Sequence, residues 1–412
     1  MPTRRGWAAF ISGLALWLGA RFVGSPDLHM VATGLVILPI FGALFVHWSR
    51  IRVDARRHLS TVRAFPGTRL VVSLTIENHS RLTAPFLLLE DAVPASLGRP
   101  ARLMVTGIPP RNNETVSYSV LCGRRGRFKL GPLSIFITDP FGLARVRIQS
   151  PEQNDFIVYP QVEDIEAWNL AMQGAGSGES AVRHLQHSAA EFYTMREYVT
   201  GDDLRRIHWP SVARTGQLMI RQDESTRRSS ATLFLDNRSS VVGNDGSPSF
   251  ERAVSLAATL GRLLAQKGFA LRLATVDSPA TPVDETRLLE ILASVSAVRA
   301  RSIGETLRAL RATARADTSL ALVTAPLVAP EVQSLLRIGS GFGRKLAAFV
   351  YPANLVDLPD PAAKELEARA TSARSALQHA GWDVFLVEPD GRLSEVWQAS
   401  RNRKLRLAGS LS

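Results

Sequence analysis

The chain opens on two long apolar runs, after which the hydrophobic pattern changes twice. The first run extends from Trp7 to about Val23 with Arg21 near its end, and the second from Val31 to Trp48 without a charged residue. A bilayer core takes about 17–25 apolar residues in a helix, so the second run qualifies and the first is marginal. Arg21 can reach the interface along its aliphatic stem. Trp7 and Trp48 stand where interfacial aromatic residues belong, and Pro39 is tolerated within a membrane helix. Joined by the short stretch Gly24–Met30, the two runs predict a transmembrane α-hairpin over residues 1–50.

From residue 51 to 160 the continuous apolar signal gives way to short alternating runs. Leu70–Ile76 and Thr115–Val120 alternate cleanly. Phe86–Glu90, Arg127–Leu130, Leu133–Ile137 and Phe156–Tyr159 complete the set, separated by Pro, Gly and Asn. Period-two runs broken in this way predict antiparallel strands, and six or more of them predict a small β-sandwich of immunoglobulin-like type. Asp139-Pro140-Phe141-Gly142-Leu143 has the composition of a turn between two strands.

Residues 161–228 read as a linker followed by a dense motif. Gln173–Ser188 is rich in Gly, Ser and Ala. It lacks the Lys of a phosphate-binding loop, and its Gly174, Gly176 and Gly178 fit a flexible segment. His184 and His187 have no Cys or carboxylate partner at ligand spacing. Beyond them, Gly201 supplies a turn, and Asp202 or Asp203 is placed to cap a short helix from Leu204 to Trp209. Arg196, Arg205 and Arg214 carry the charge to pair with those aspartates as an ion-pair latch. The competing chemistry is an acid/base pair of Asp202 and Asp203 with His208 as base. No nucleophile or complete metal-ligand set accompanies them, which favours the latch.

From residue 229 to 412 strands and helices alternate. Ala231–Leu235, Ala270–Val276, Leu320–Thr324, Leu346–Tyr351 and Asp383–Val387 read as strands. Phe250–Lys267, Glu285–Val295, Ile303–Ala314 and Pro361–His379 read as helices. This order predicts an α/β, Rossmann-like domain with a mainly parallel sheet, whose ligands bind beyond the carboxyl ends of the strands. Asp236 stands at such an end.

Charge and composition narrow the function. The 412 residues carry a net charge of +12, which calls for an anionic neighbour. Arg50, Arg52, Arg56 and Arg57 follow the hairpin and Arg4 and Arg5 precede it, so much of the excess lies where anionic headgroups would be. The positive-inside rule then puts both ends of a two-pass protein, and its soluble regions, on the cytoplasmic side of the plasma membrane. The twin arginine in Thr3–Trp7 faintly resembles an export signal, but the second apolar run follows too closely for one. The lone Cys122 excludes a disulfide framework and any multi-cysteine zinc site. Asn113-Glu114-Thr115 is an idle glycosylation match in a cytoplasmic region. Gly339–Gly343 precedes a strand and reads as a turn, and the basic stretch Arg401–Arg406 reads as a frayed, solvated terminus.

One segment carries a resemblance. The pattern Arg196-x-Tyr198-x-x-Gly201-Asp202-Asp203-x-Arg205-x-Ile207-x-Trp209, followed by Ala213-Arg214, resembles the signature of the domain-of-unknown-function 58 family. Arg125–Phe128 and Asp139–Leu143 are similar to a second pair of motifs in that family. The resemblance implies an N-terminal membrane hairpin, a β-rich region and a C-terminal von Willebrand factor A-like domain. It also implies two partners, a MoxR-type AAA+ ATPase and a transglutaminase-like membrane protein. A von Willebrand A-like domain holds Mg²⁺ with a D-x-S-x-S run at the first strand end. Here the run is Asp236-Asn237-Arg238-Ser239-Ser240, and a guanidinium has no lone pair for a cation. Arg238 is expected to turn inward onto Asp236, leaving Asp236, Arg238 and Ser240 as a degenerate site with no metal and no other cofactor. The expectation is therefore a non-enzymatic, membrane-anchored adaptor that engages protein partners and the lipid bilayer, not nucleic acid. The alternative is a hydrolase using Asp202, Asp203 and His208.

Overall fold

The computed structural model describes residues 2–48, 53–81, 83–84, 86–165, 193–198, 207–223, 229–300, 303–312, 314–352 and 357–397. These fall into two compact units, residues 1–161 with 289–295, and residues 162–288 with 296–412.

The first unit begins with helices α1 (Arg4–Val23) and α2 (Pro26–Trp48). The link between them is Gly24-Ser25, shorter than the expected Gly24–Met30. Gly24 ends α1 in the left-handed region at φ 69°. Pro26 and Asp27 then suit a first helical turn, one by its fixed φ and missing N–H, the other by its charge at the positive end of the helix. At the start of α1, the Thr3 hydroxyl accepts from the Gly6 amide at 3.1 Å, which carries the helix back to Arg4. The buried residues of α1 are Gly6, Gly13 and Ala20, spaced by seven. Those of α2 include Ala32, Pro39 and Val46 at the same spacing. Small side chains on this seam let the backbones approach, and a Cβ on Gly13 would stand 2.8 Å from that of Leu35. Ile11, Leu14, Leu18, Ile37, Ile40 and Phe41 are exposed on the other faces. Both helices are long and apolar enough to cross a membrane.

Ten strands follow: β1 (Val53–Leu59), β2 (Arg63–Ala64), β3 (Arg69–Asn78), β4 (Leu87–Asp91), β5 (Ala101–Val105), β6 (Asn113–Leu121), β7 (Gly126–Leu130), β8 (Leu133–Thr138), β9 (Arg145–Ser150) and β10 (Asn154–Val158). They form three sheets, ordered β1-β3-β6, β5-β4-β8-β9 and β2-β10-β7, and antiparallel apart from the short β2–β10 pair. Alternate residues of β3, Leu70, Val72, Leu74 and Ile76, enter a common core with Leu87, Leu89, Ile135, Ile137 and Phe156. β1 was not expected, because its inward positions are Ala55 and Arg57, so the alternation is carried by an arginine. Arg57 is buried with Asp91, to which it donates from Nε at 2.9 Å and from Nη2. Its Nη1 reaches Asn154 Oδ1 at 2.8 Å and the carbonyls of Leu130 and Glu152. The Tyr118 hydroxyl donates to the same Asp91 carboxylate at 2.6 Å. One charged pair thereby ties strands of all three sheets.

The second unit contains the two-stranded sheet of β11 (Tyr193–Glu197) and β12 (Met219–Asp223), with α3 (Trp209–Thr215) between them in sequence. A larger α/β region follows: β13 (Ser230–Leu235), α4 (Ser239–Val242), α5 (Pro248–Gln266), β14 (Ala270–Thr275), β15 (Thr281–Pro282), α6 (Glu285–Ser294, of which residues 289–294 count with the first unit), α7 (Gly304–Arg311), β16 (Thr318–Thr324), α8 (Ala329–Gly339), β17 (Lys345–Val350), α9 (Asp360–His379) and β18 (Asp383–Val387). The sheet is ordered β15-β14-β13-β16-β17-β18 and is parallel except for β15. Phe234, Leu320, Leu322, Ala347 and Phe349 are buried in the core beneath α8 and α9, with Leu335, Leu377 and Trp382 packed against them. The chain winds outward from β13 through β14, then returns to place β16 on the other side of β13. The winding direction therefore reverses between β13 and β16, which opens a crevice beyond their carboxyl ends.

Candidate functional site

The crevice at that reversal is where the sequence places its best candidate. Asp236 follows the last residue of β13, and Thr324 is the last residue of β16. Asp236 is fully buried, and every approach to its carboxylate is occupied. Oδ1 accepts from Arg238 Nε at 2.9 Å and from the Arg238 amide at 3.2 Å. Oδ2 accepts from Arg238 Nη2 at 2.8 Å and from the Thr324 hydroxyl at 2.7 Å. A carboxylate offers about four lone-pair directions, so none remains for a cation. The third nitrogen of the fork, Nη1, donates to Glu331 on the first turn of α8 at 2.6 Å. Burial alone would pull the Arg238 guanidinium below its ordinary pKa, but its bonds and charge contacts with Asp236 and Glu331 more than reverse this. It stays protonated as a tethered cation between two carboxylates.

Asn237 extends this arrangement sideways. Its Nδ2 donates to Asp277 Oδ1 and to the Ser296 carbonyl, both at 2.9 Å, and its Oδ1 accepts from the Val276 amide at 3.0 Å. The Thr275 hydroxyl donates to the same Asp277 oxygen at 2.7 Å. The ends of β13 and β14 and the 296–298 segment are thus locked together by neutral and charged hydrogen bonds. Ser240 is exposed on the single turn α4. Thr324 and Glu331 are the partners that sequence reasoning missed. A signal for Glu331 was present, since Ala329-Pro330-Glu331 begins a helix in the way Pro and Glu favour. Among the described residues no group of three or more His, Cys, Asp or Glu side chains is arranged to hold a metal ion.

The signature segment is described only in part. Gly201, Asp202, Asp203 and Arg205 lie outside the described residues, as does the loop with His184 and His187. Arg196 lies in β11, opposite Ile220 of β12. Tyr198 is half-buried, its amide donating to the Leu218 carbonyl at 2.8 Å. Residues 204–206 of the expected helix from Leu204 to Trp209 also lie outside the described residues, and its described end is corrected. Ile207 and His208 are non-helical, and α3 begins at Trp209 with His208 in the capping position. The reason is Pro210. Lacking an N–H, it starts a helix readily and cannot sit deep inside one. The His208 ring meets the Ser211 hydroxyl at 2.9 Å, while Trp209 and Arg214 are exposed. The ring is therefore engaged locally, one turn along its own helix.

The two-stranded sheet from Thr194 and every strand of the parallel sheet except β18 lie within one continuous stretch of similarity. Residues 194–378 match the family described as "Protein of unknown function DUF58". The match takes in the signature segment, the Asp236 crevice and most of α9. The "Uncharacterized protein YeaD" of Bacillus subtilis (strain 168) is 23% identical over 281 residues, covering 66% of this chain and 68% of that protein. Solved structures align only loosely. The CARDB domain of the PF1109 protein from Pyrococcus furiosus has a TM-score of 0.20 at 7% identity, over 26% of this chain and 91% of that one. A beta-glucosidase from Listeria innocua has a TM-score of 0.17 at 15% identity, over 24% of this chain and 16% of that one.

Proposed function

We propose that the chain is a non-enzymatic, membrane-anchored adaptor. In this reading α1 and α2 span the plasma membrane with both ends in the cytoplasm. The strand-rich region is an immunoglobulin-like sandwich, and the second unit contains a von Willebrand A-like domain that engages a protein partner without a metal. One observation carries the proposal: Asp236, at the sheet's reversal point, has its carboxylate filled by Arg238 and Thr324. A cleft built this way has neither an open coordination position nor an unengaged acid or base among Asp236, Arg238 and Thr324. It offers instead a rigid rim, with exposed Ser240 on one side and half-exposed Val328 on the other. A MoxR-type AAA+ ATPase is the partner proposed for this rim, and a transglutaminase-like membrane protein a further one.

The test is affinity purification of the tagged full-length protein from its membrane in mild detergent, with and without ATP, followed by mass spectrometry. Nucleotide-sensitive recovery of an AAA+ ATPase, reduced by Ser240→Arg and Val328→Glu, is the expected outcome. Both positions are at the surface, so these variants should fold. Recovery of no ATPase in either condition would overturn the proposal.

A further inference from the structure

The turn between β8 and β9 is built against the helical hairpin. Asp139 is buried and folds the turn from within, accepting from the Phe141 amide at 3.0 Å and from the Ala144 amide. The outside of the turn binds the start of α1. The Thr3 amide donates to the Leu143 carbonyl at 2.8 Å, and the Thr3 hydroxyl donates to the Gly142 carbonyl at 2.8 Å. Pro2 and Ala144 form an antiparallel bridge. Gly6 of α1 lies so close that a Cβ there would meet the Leu143 carbonyl oxygen at 2.1 Å. On the second helix, a Cβ on Gly42 would stand 3.2 Å from Asp139 Oδ2. At 1.5 Å per residue, Gly42 is about 9 Å along α2 from Trp48. The turn thus reaches past the ends of both helices to the level where their apolar stretches begin.

At the tip of this turn Phe141 is 64% exposed. The ring is a large aromatic side chain held in the open by a turn that the Asp139 carboxylate fixes from within. Arg4 and Arg5 are exposed at the start of α1, and exposed Arg145 leaves the turn on β9, with its guanidinium carbon 5.2 Å from the Phe136 ring centre. Phe141 is thus the exposed tip of a turn that binds the arginine-bearing start of α1 and is followed by Arg145. We propose that Phe141 inserts at the headgroup–acyl boundary of an anionic bilayer, so that the strand-rich unit is seated on the membrane surface. This rests on the membrane-anchored reading of the hairpin. It adds that a turn far along the chain is a second point of lipid contact.

The test uses the full chain with Cys122→Ser and one nitroxide-labelled cysteine at a time, in phosphatidylcholine–phosphatidylglycerol vesicles. Labels replace Phe141, Ile37 on the exposed face of α2, and His79 on an exposed turn. Oxygen and a water-soluble nickel chelate compete to relax each label. The expected result is oxygen preference at 141 and 37 and nickel preference at 79, with less oxygen at 141 when phosphatidylglycerol is omitted. Nickel preference at 141 with oxygen preference at 37 would overturn lipid insertion and leave anchoring intact. Nickel preference at both would overturn the two together, and equal oxygen access in both lipid mixtures would overturn the choice of an anionic surface.

Discussion

Two buried charged clusters hold the units together internally, and each makes a residue-scale prediction. In the crevice, Arg238 and Asp236 are buried together beyond the carboxyl end of β13, where either charge alone would be poorly solvated. Arg238→Met should lower stability by about 3–5 kcal/mol, because Asp236 is left buried without a cation, and Asp236→Asn should cost less, because Arg238 keeps its pairing with Glu331. The double variant Asp236→Asn with Arg238→Met should lose less than the sum of the two, read as the shift in urea midpoint. Additive losses would mean that the pair is not coupled. In the first unit, burial foremost, then the hydrogen bond to the Asp91 carboxylate, raises the Tyr118 pKa far above its ordinary 10.0. A phenol whose folded-state pKa is raised contributes stability that is complete below pH 10 and is lost as pH climbs above it. The protein should therefore lose stability in alkali. Tyr118→Phe should flatten that loss when unfolding free energy is followed from neutral to alkaline pH. An unchanged alkaline slope in Tyr118→Phe would show that the Tyr118–Asp91 bond does not govern it.

At the scale of elements, legibility followed how purely each element's pattern was apolar. The two N-terminal helices, β3 and the β13, β14, β16, β17 and β18 series were all readable, since their inward positions are Val, Leu, Ile, Phe and Ala. β1 was hidden because Arg57 takes an inward position, and a buried arginine reads as surface until its Asp91 partner, 34 positions away, is known. α8 carries no expectation of its own although Pro330 and Glu331 mark a helix start, and of the helix expected over Leu204–Trp209 the described end is non-helical at Ile207 and His208, because Pro210 starts α3 at Trp209. The crevice was legible by the same rule. That a guanidinium two residues from a strand-end carboxylate folds back on it is local chemistry. That Thr324 and Glu331 complete the arrangement depends on contacts across 88 and 93 positions, which no local pattern contains.

For the whole molecule the question is which side of a membrane carries the bulk of the chain. The proposed orientation rests on charge asymmetry: Arg4, Arg5, Arg50 and Arg52 flank the outer ends of the hairpin, while its linked ends carry one charge of each sign, Arg21 and Asp27. The single native thiol makes this simple to check. Cys122 is fully buried and burial raises its pKa, so it is a poor thiolate and should remain silent towards maleimides. A cysteine in place of exposed Asp27 should be labelled by a membrane-impermeant maleimide added to intact cells, and one in place of exposed His79 only after the membrane is permeabilised. The reverse pattern would place the strand-rich and α/β units outside, beyond the reach of any cytoplasmic ATPase. Labelling at both positions in intact cells would mean that the hairpin does not span the bilayer. Because orientation decides which partners are physically available, this measurement ranks ahead of any search for the partner itself.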